Sequence, residues 1–220
     1  MDTSAARQAI FSRIRQAQKR GPEPTEAELA SVAGYLAQHE PGPQPNIGTD
    51  VPERFRQQAL RTSQTLDEVD SLTDVPAAAA RYLDSIGVAK KAIAWETLTD
   101  LPWQQAGVSV DFRIPVNEDM VGITGCFCAV AETGTLMMLS GAATYASAAL
   151  LPETHIAIVP VARIVPAMED AFALALSERG ELPRATNFIS GPSRTGDIEQ
   201  TIVLGAHGPY RVHVILVREG

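Results

Sequence analysis

The chain has 220 residues, of which 45% are hydrophobic and 20% charged, and its formal net charge is −8. That length can bury the core of one α/β domain with an N-terminal extension, and the composition is that of an ordinary soluble globular protein. The acidic balance, with no basic stripe interleaved with aromatics, argues against a nonspecific nucleic-acid binder. Apolar runs are interrupted within about a dozen residues by Pro, Gly or charge, too short to span a bilayer.

The start is polar and lacks the apolar segment of a signal peptide. Residues 5–19 place Ile10, Phe11 and Ile14 at helical spacing, with arginines and glutamines opposite, and Gly21-Pro22 stops them. Thr25 and Glu28 have capping-box form and open a second helix that ends near His39, a solvated residue favoured there by the helix dipole. Residues 41–50 are too rich in Pro and Gly for helix or strand and read as a linker. Residues 1–50 are therefore expected to form a helical arm and linker, and residues 51–220 an α/β domain.

Within that domain, residues 52–64 read as a helix with Pro in its first turn, and the alanine-rich 76–86 as another closing at Gly87. Residues 91–95 read as a short strand. Residues 107–114 alternate Val108, Val110, Phe112 and Ile114 against polar partners, the pattern of a half-buried strand. Residues 121–141 read as an approach loop, a strand, a tight turn at Thr133-Gly134 and a second strand at 136–139. A helix is expected at 142–151, a strand at 154–160, a helix at 166–177, and strands at 186–190 and 210–217. Alternating strands and helices predict an open, mainly parallel sheet covered by helices on both faces.

Glu132 is the odd residue of the hairpin. A carboxylate against a glycine turn between apolar strands is a site candidate, or simply accepts turn amides or faces solvent. The loop Ser190-Gly191-Pro192-Ser193-Arg194-Thr195 offers backbone amides, hydroxyls and one guanidinium, the ingredients of an anion site. Alternatively Ser193 or Thr195 caps a short helix and Arg194 pairs with Asp197 or Glu199. His207, in GAHGP, lies on a turn and could present an imidazole to the strand ends, whereas His155 and His213 lie within apolar strands and read as structural. Cys126 and Cys128 read as small packed hydrophobes in a reducing, cytoplasmic compartment, with a reactive thiol near Glu132 as the alternative. HxH, HExxH, CxxC, GxGxxG, P-loop and GxSxG patterns are all absent, so the residues give no reason to invoke a metal, a nucleotide or a serine nucleophile.

Three segments in order, GCFCAVAETGT, ISGPSRTGDIEQT and GAHGP, resemble the lactate-utilisation protein C family (LutC/YkgG, the LUD-domain group). The likeness runs from about Gly122 to the C-terminus through LLPETHIAIVP, ARIVP and RVHVILV. It implies a fold similar to the NagB/RpiA/CoA-transferase-like group, and a part in oxidising L-lactate to pyruvate beside separate iron–sulfur proteins. With two cysteines this chain cannot supply the four thiolates of a cluster, so no cofactor is expected in it. The resemblance favours a site in which Glu132 and His207 are catalytic. Thr133, Gly134, Thr135, Ser190, Gly191, Ser193, Arg194 and Thr195 would bind a small carboxylate or phosphate. Glu132, Arg194 and His207 are then expected to share one crevice. The alternatives are a free-standing transferase or isomerase using Glu132, and a purely structural or regulatory subunit.

Overall fold

The computed structural model describes residues 3–38, 42–196 and 201–219. The chain divides into two units, Met1–Gln44 and Pro45–Gly220. In the first, α1 (Ser4–Ala17) and α2 (Glu26–Gln38) bury no residue. The Thr25 hydroxyl accepts from the Glu28 amide at 3.2 Å while the Glu28 carboxylate accepts from the Thr25 amide at 2.8 Å, the reciprocal cap expected of this spacing. His39 lies outside the described residues.

The second unit opens with α3 (Val51–Arg61), where the Asp50 carboxylate accepts from the Glu53 amide at 2.9 Å and Phe55, Gln58 and Ala59 are buried. The helix stops three residues before its expected end at 64. The Thr62 hydroxyl bonds back to the carbonyls of Gln58 and Ala59, and Ser63 adopts a left-handed φ of 65° that turns the chain out of the helix. It runs directly into β1 (Thr65–Ser71), a strand the sequence pattern does not announce. β1 is the edge of the main sheet, and its Glu68 is held between Arg56 and Arg218, so charge masks the alternation a half-buried strand would show.

After α4 (Val75–Ser85), β2 (Lys91–Ala94) and β3 (Ser109–Phe112) fall where the alternation puts them. The expected approach loop at 121–128 is instead mostly strand. β4 (Val121–Gly125) lies between β2 and β7 in the middle of the sheet, and its first four residues are buried. A strand buried on both faces has no alternation, and two glycines in five residues disguise it further. Gly122 is glycine because the backbone of α5 (Ser147–Leu150) lies against it: a Cβ there would sit 2.0 Å from the Ala148 carbonyl. The expected helix at 142–151 is reduced to α5, because residues 141–144 form a bridge anchored by the Thr144 hydroxyl on the Leu139 carbonyl.

β5 (Cys128–Val130) and β6 (Thr135–Leu139) form the expected hairpin, then come β7 (Thr154–Pro160), β8 (Ile164–Val165), α6 (Met168–Arg179), β9 (Thr186–Ile189), β10 (Arg194–Thr195), β11 (Val203–Leu204) and β12 (Arg211–Glu219). α6 begins two residues later than expected, with the Ala167 amide capped by Asp170 at 3.0 Å, and ends at Gly180 with φ 76°. Among the described residues the main sheet has the order β1-β12-β7-β4-β2-β3, parallel throughout, which is the fold class expected. The hairpin does not belong to it. It sits in a separate four-stranded sheet, β8-β5-β6-β9, whose far face packs Phe127, Val130, Met137 and Leu139 on α6.

His155 on β7 and His213 on β12 are buried, as structural histidines should be, and burial pushes each down to about 4. His155 Nε2 lies 2.8 Å from the Thr124 hydroxyl, and His213 Nδ1 lies 2.8 Å from that of Thr65 with its ring stacked on Tyr82 at 3.7 Å. In the unfolded chain both titrate near the ordinary value of roughly 6.5, so as pH falls below it the unfolded state binds protons the native state refuses. Stability should therefore drop by about 3 kcal/mol between pH 6.5 and pH 5, above the carboxylate range. Urea unfolding across that interval checks it, and a flat profile would show that the imidazoles take up protons as readily in the native state as in the unfolded chain.

Candidate functional site

The Thr133-Gly134 turn and the loop after β9 meet on the segment that follows α3. Gly134, at φ 69°, lies so close to α3 that a Cβ would be 2.5 Å from the Ala59 nitrogen. Gly191, at φ 87°, approaches the Thr62 carbonyl, where a Cβ would be 2.1 Å from the oxygen. Glycine is needed at both points twice over, for the dihedral and for the space. The Gln64 side chain, 2% exposed, donates to the Gly134 carbonyl at 2.6 Å and to the Thr62 hydroxyl at 2.9 Å, tying turn to segment.

Three hydroxyls then run in a row. Thr133 Oγ1 is 2.6 Å from Thr135 Oγ1, which is 2.6 Å from Ser190 Oγ. The middle one is buried and Ser190 is exposed, so the row ends at the surface with hydrogen-bonding capacity to spare. Arg194 is exposed and donates through Nη2 to the Ser63 hydroxyl, the residue held at positive φ. Residues Arg194–Thr195 are extended and pair antiparallel with Val203–Leu204, so Ser193 opens no helix, while the residues that Thr195 would cap lie outside the described ones. Asp197 and Glu199, the other partners considered for Arg194, lie outside the described residues. Ser193 receives the GAHGP turn: its amide donates to the Pro209 carbonyl at 2.9 Å, its carbonyl accepts from Gly205 at 2.9 Å, and its hydroxyl accepts from the His207 amide at 3.4 Å.

The structure thus joins Thr133, Gly134, Thr135, Ser190 and Gly191 directly around residues 58–64, brings Arg194 to Ser63, and attaches His207 through its backbone to Ser193. The His207 imidazole is exposed and bonds to no described residue. Glu132 donates its amide to the Pro166 carbonyl at 2.9 Å and is half-buried, but its carboxylate has no hydrogen-bond or ion-pair partner among the described residues. It is therefore not a turn-amide acceptor. Thr62, Ser63 and Gln64 also belong to this arrangement, although the sequence pattern runs them into the preceding helix. Their only local signal is the cluster of small polar residues after α3.

The arrangement can grip an anion through hydroxyls and one guanidinium, with a carboxylate on the adjacent turn. Cys128 packs as expected: it is buried, burial pushes its thiol up to about 11, and its Sγ lies 3.7 Å from Met137 Sδ. Among the described residues no group of three or more His, Cys, Asp or Glu could hold a metal ion, and no helix is long and apolar enough to cross a membrane.

A family model described as the LUD domain matches residues 76–217. The chain is similar to Lactate utilization protein C of Halalkalibacterium halodurans, 41% identical over 102 residues, which is 45% of this chain and 44% of that protein. It is 43% identical over 118 residues to Lactate utilization protein C 1 of Bacillus mycoides, 52% of this chain and 50% of that one. The matched segment spans about half the length of these relatives. A crystal structure of a DUF162 family protein from Deinococcus radiodurans shares the fold, with a TM-score of 0.57 at 22% identity over 76% of this chain and 96% of that chain. A domain model covering most of the compact unit places this chain: it belongs to the LUD domain family.

Proposed function

We propose that the chain serves L-lactate utilisation as a subunit that binds a small carboxylate or phosphate and moves no electrons itself, acting in the cytoplasm with separate iron–sulfur proteins. The relatives' names support the lactate role. The observation that carries the anion site is the hydroxyl row Thr133–Thr135–Ser190, ending at the surface on the loop that also bears Arg194. An oxygen-rich anion takes hydrogen bonds from such donors, and a guanidinium adds a charge-assisted pair. Glu132 on the same hairpin is the group placed to take a proton.

The test is calorimetric titration with L-lactate, pyruvate and inorganic phosphate. Arg194→Ala should weaken binding by about 1.5–3 kcal/mol, the range for hydrogen bonds to a charged group, or roughly 10- to 150-fold. The single Arg194–Ser63 bond is exposed, so the fold should survive the change. If all three anions bind the variant as they bind the parent, the loop is scaffolding.

A further inference from the structure

The strands of the main sheet change their direction of succession between β2 and β4. β3 follows β2 on one side, whereas β4, β7 and β12 build outward on the other. Loops leaving two such strands diverge, and open α/β sheets bind ligands in the crevice this leaves beyond the carboxyl ends. A cavity of about 480 Å³ lies there, lined by Trp95 after β2, Cys126 after β4, Pro160 at the end of β7 and Leu139 at the end of β6. A second cavity of about 220 Å³ adjoins it, sharing Leu139, Thr144 and Arg179. The site described above is elsewhere: Thr135 and Leu139 mark opposite ends of β6, about 13 Å apart along an extended strand.

The charges of the crevice are unequal. Arg163 is committed, donating from Nε to the Phe127 carbonyl at 2.9 Å and from both Nη atoms to Glu178 at 2.6 and 3.1 Å. Arg179, the last residue of α6, has no hydrogen bond or ion pair with any described residue. In the lining of the larger cavity two arginines face one carboxylate, Glu178, whose charge both of them stabilise, whereas in the smaller one Arg179 is matched by Glu181. An anionic group is favoured in the first and not in the second. The remaining walls, Trp95, Phe127, Leu139 and Pro160, are apolar, and the volume suits a ligand well above three carbons.

We propose that this crevice is a second ligand site, taking an organic anion whose carboxylate or phosphate meets Arg179 and whose ring-sized apolar body lies against Trp95, Leu139 and Pro160. The site stands on sheet topology and cavity chemistry, independently of lactate or of Arg194. Calorimetry on the full chain with 2-naphthoate and its uncharged amide, 2-naphthamide, reads it out. The carboxylate should bind at least tenfold more tightly than the amide, and Arg179→Gln should cost about tenfold without moving the thermal transition. The proposal is overturned if 2-naphthoate shows no saturable binding at millimolar concentration or the amide binds equally well. It is equally overturned if Arg179→Gln binds 2-naphthoate as tightly as the parent.

Discussion

Gly134→Ala is expected to lower the stability of the Pro45–Gly220 unit by about 2–5 kcal/mol, which for a domain of this size moves the melting temperature down by roughly 5–15 °C. Two penalties add at this position. An alanine at φ 69° pays for a left-handed backbone, about 1–2 kcal/mol. Its Cβ must also stand 2.5 Å from the Ala59 nitrogen and 2.6 Å from the Gln58 carbonyl carbon, and helix backbone cannot step aside as a flexible side chain can. Either the turn lifts off α3, breaking the 2.6 Å bond from Gln64 to the Gly134 carbonyl, or α3 shifts with its buried Phe55. Gly87→Ala separates the terms, because Gly87 has φ 68° with open space around it and should lose only the backbone part. Thermal denaturation of both variants decides the matter. Equal losses would mean that the turn does not rest on the helix.

Glu132→Gln should lower partner-dependent lactate oxidation about 100-fold or more, the usual worth of a positioned general base, while leaving the fold untouched. The separation is clean for a structural reason. The carboxylate bonds to no described residue, so removing its charge breaks nothing, and glutamine keeps the volume of the half-buried side chain. The chain alone should oxidise no lactate with any acceptor, since its two cysteines cannot ligate a cluster. The measurement is lactate oxidation by the chain recombined with the iron–sulfur proteins proposed above, with melting temperature as control. Activity retained by Glu132→Gln removes the carboxylate from the chemistry but keeps the subunit role. Lactate oxidation by the chain alone refutes that role.

Turn chemistry and strong periodicity were readable in residue order because their causes are local. The Thr25–Glu28 cap, the Thr133-Gly134 turn and the buried β7 need only neighbours in the chain to explain them. The family motifs were legible for the same reason, each being a short run of fixed residues. Tertiary structure decided the rest. β1 is a strand because β12 offers it a parallel edge, and β4 is central because β2 and β7 pair with its two edges; neither fact is written in local alternation. The hairpin's place in a second sheet follows from its pairing with β8 and β9, partners some thirty to sixty residues away. Most of all, the candidate site is assembled on Thr62, Ser63 and Gln64, which read as the tail of a helix. What ends that helix is a left-handed Ser63, and what gives those residues their partners is the close approach of Gly134 and Gly191 from distant loops. A sequence can show that a glycine is needed there. Which backbone it makes room for is fixed only when the layers pack, because only close packing brings that backbone within a Cβ's radius.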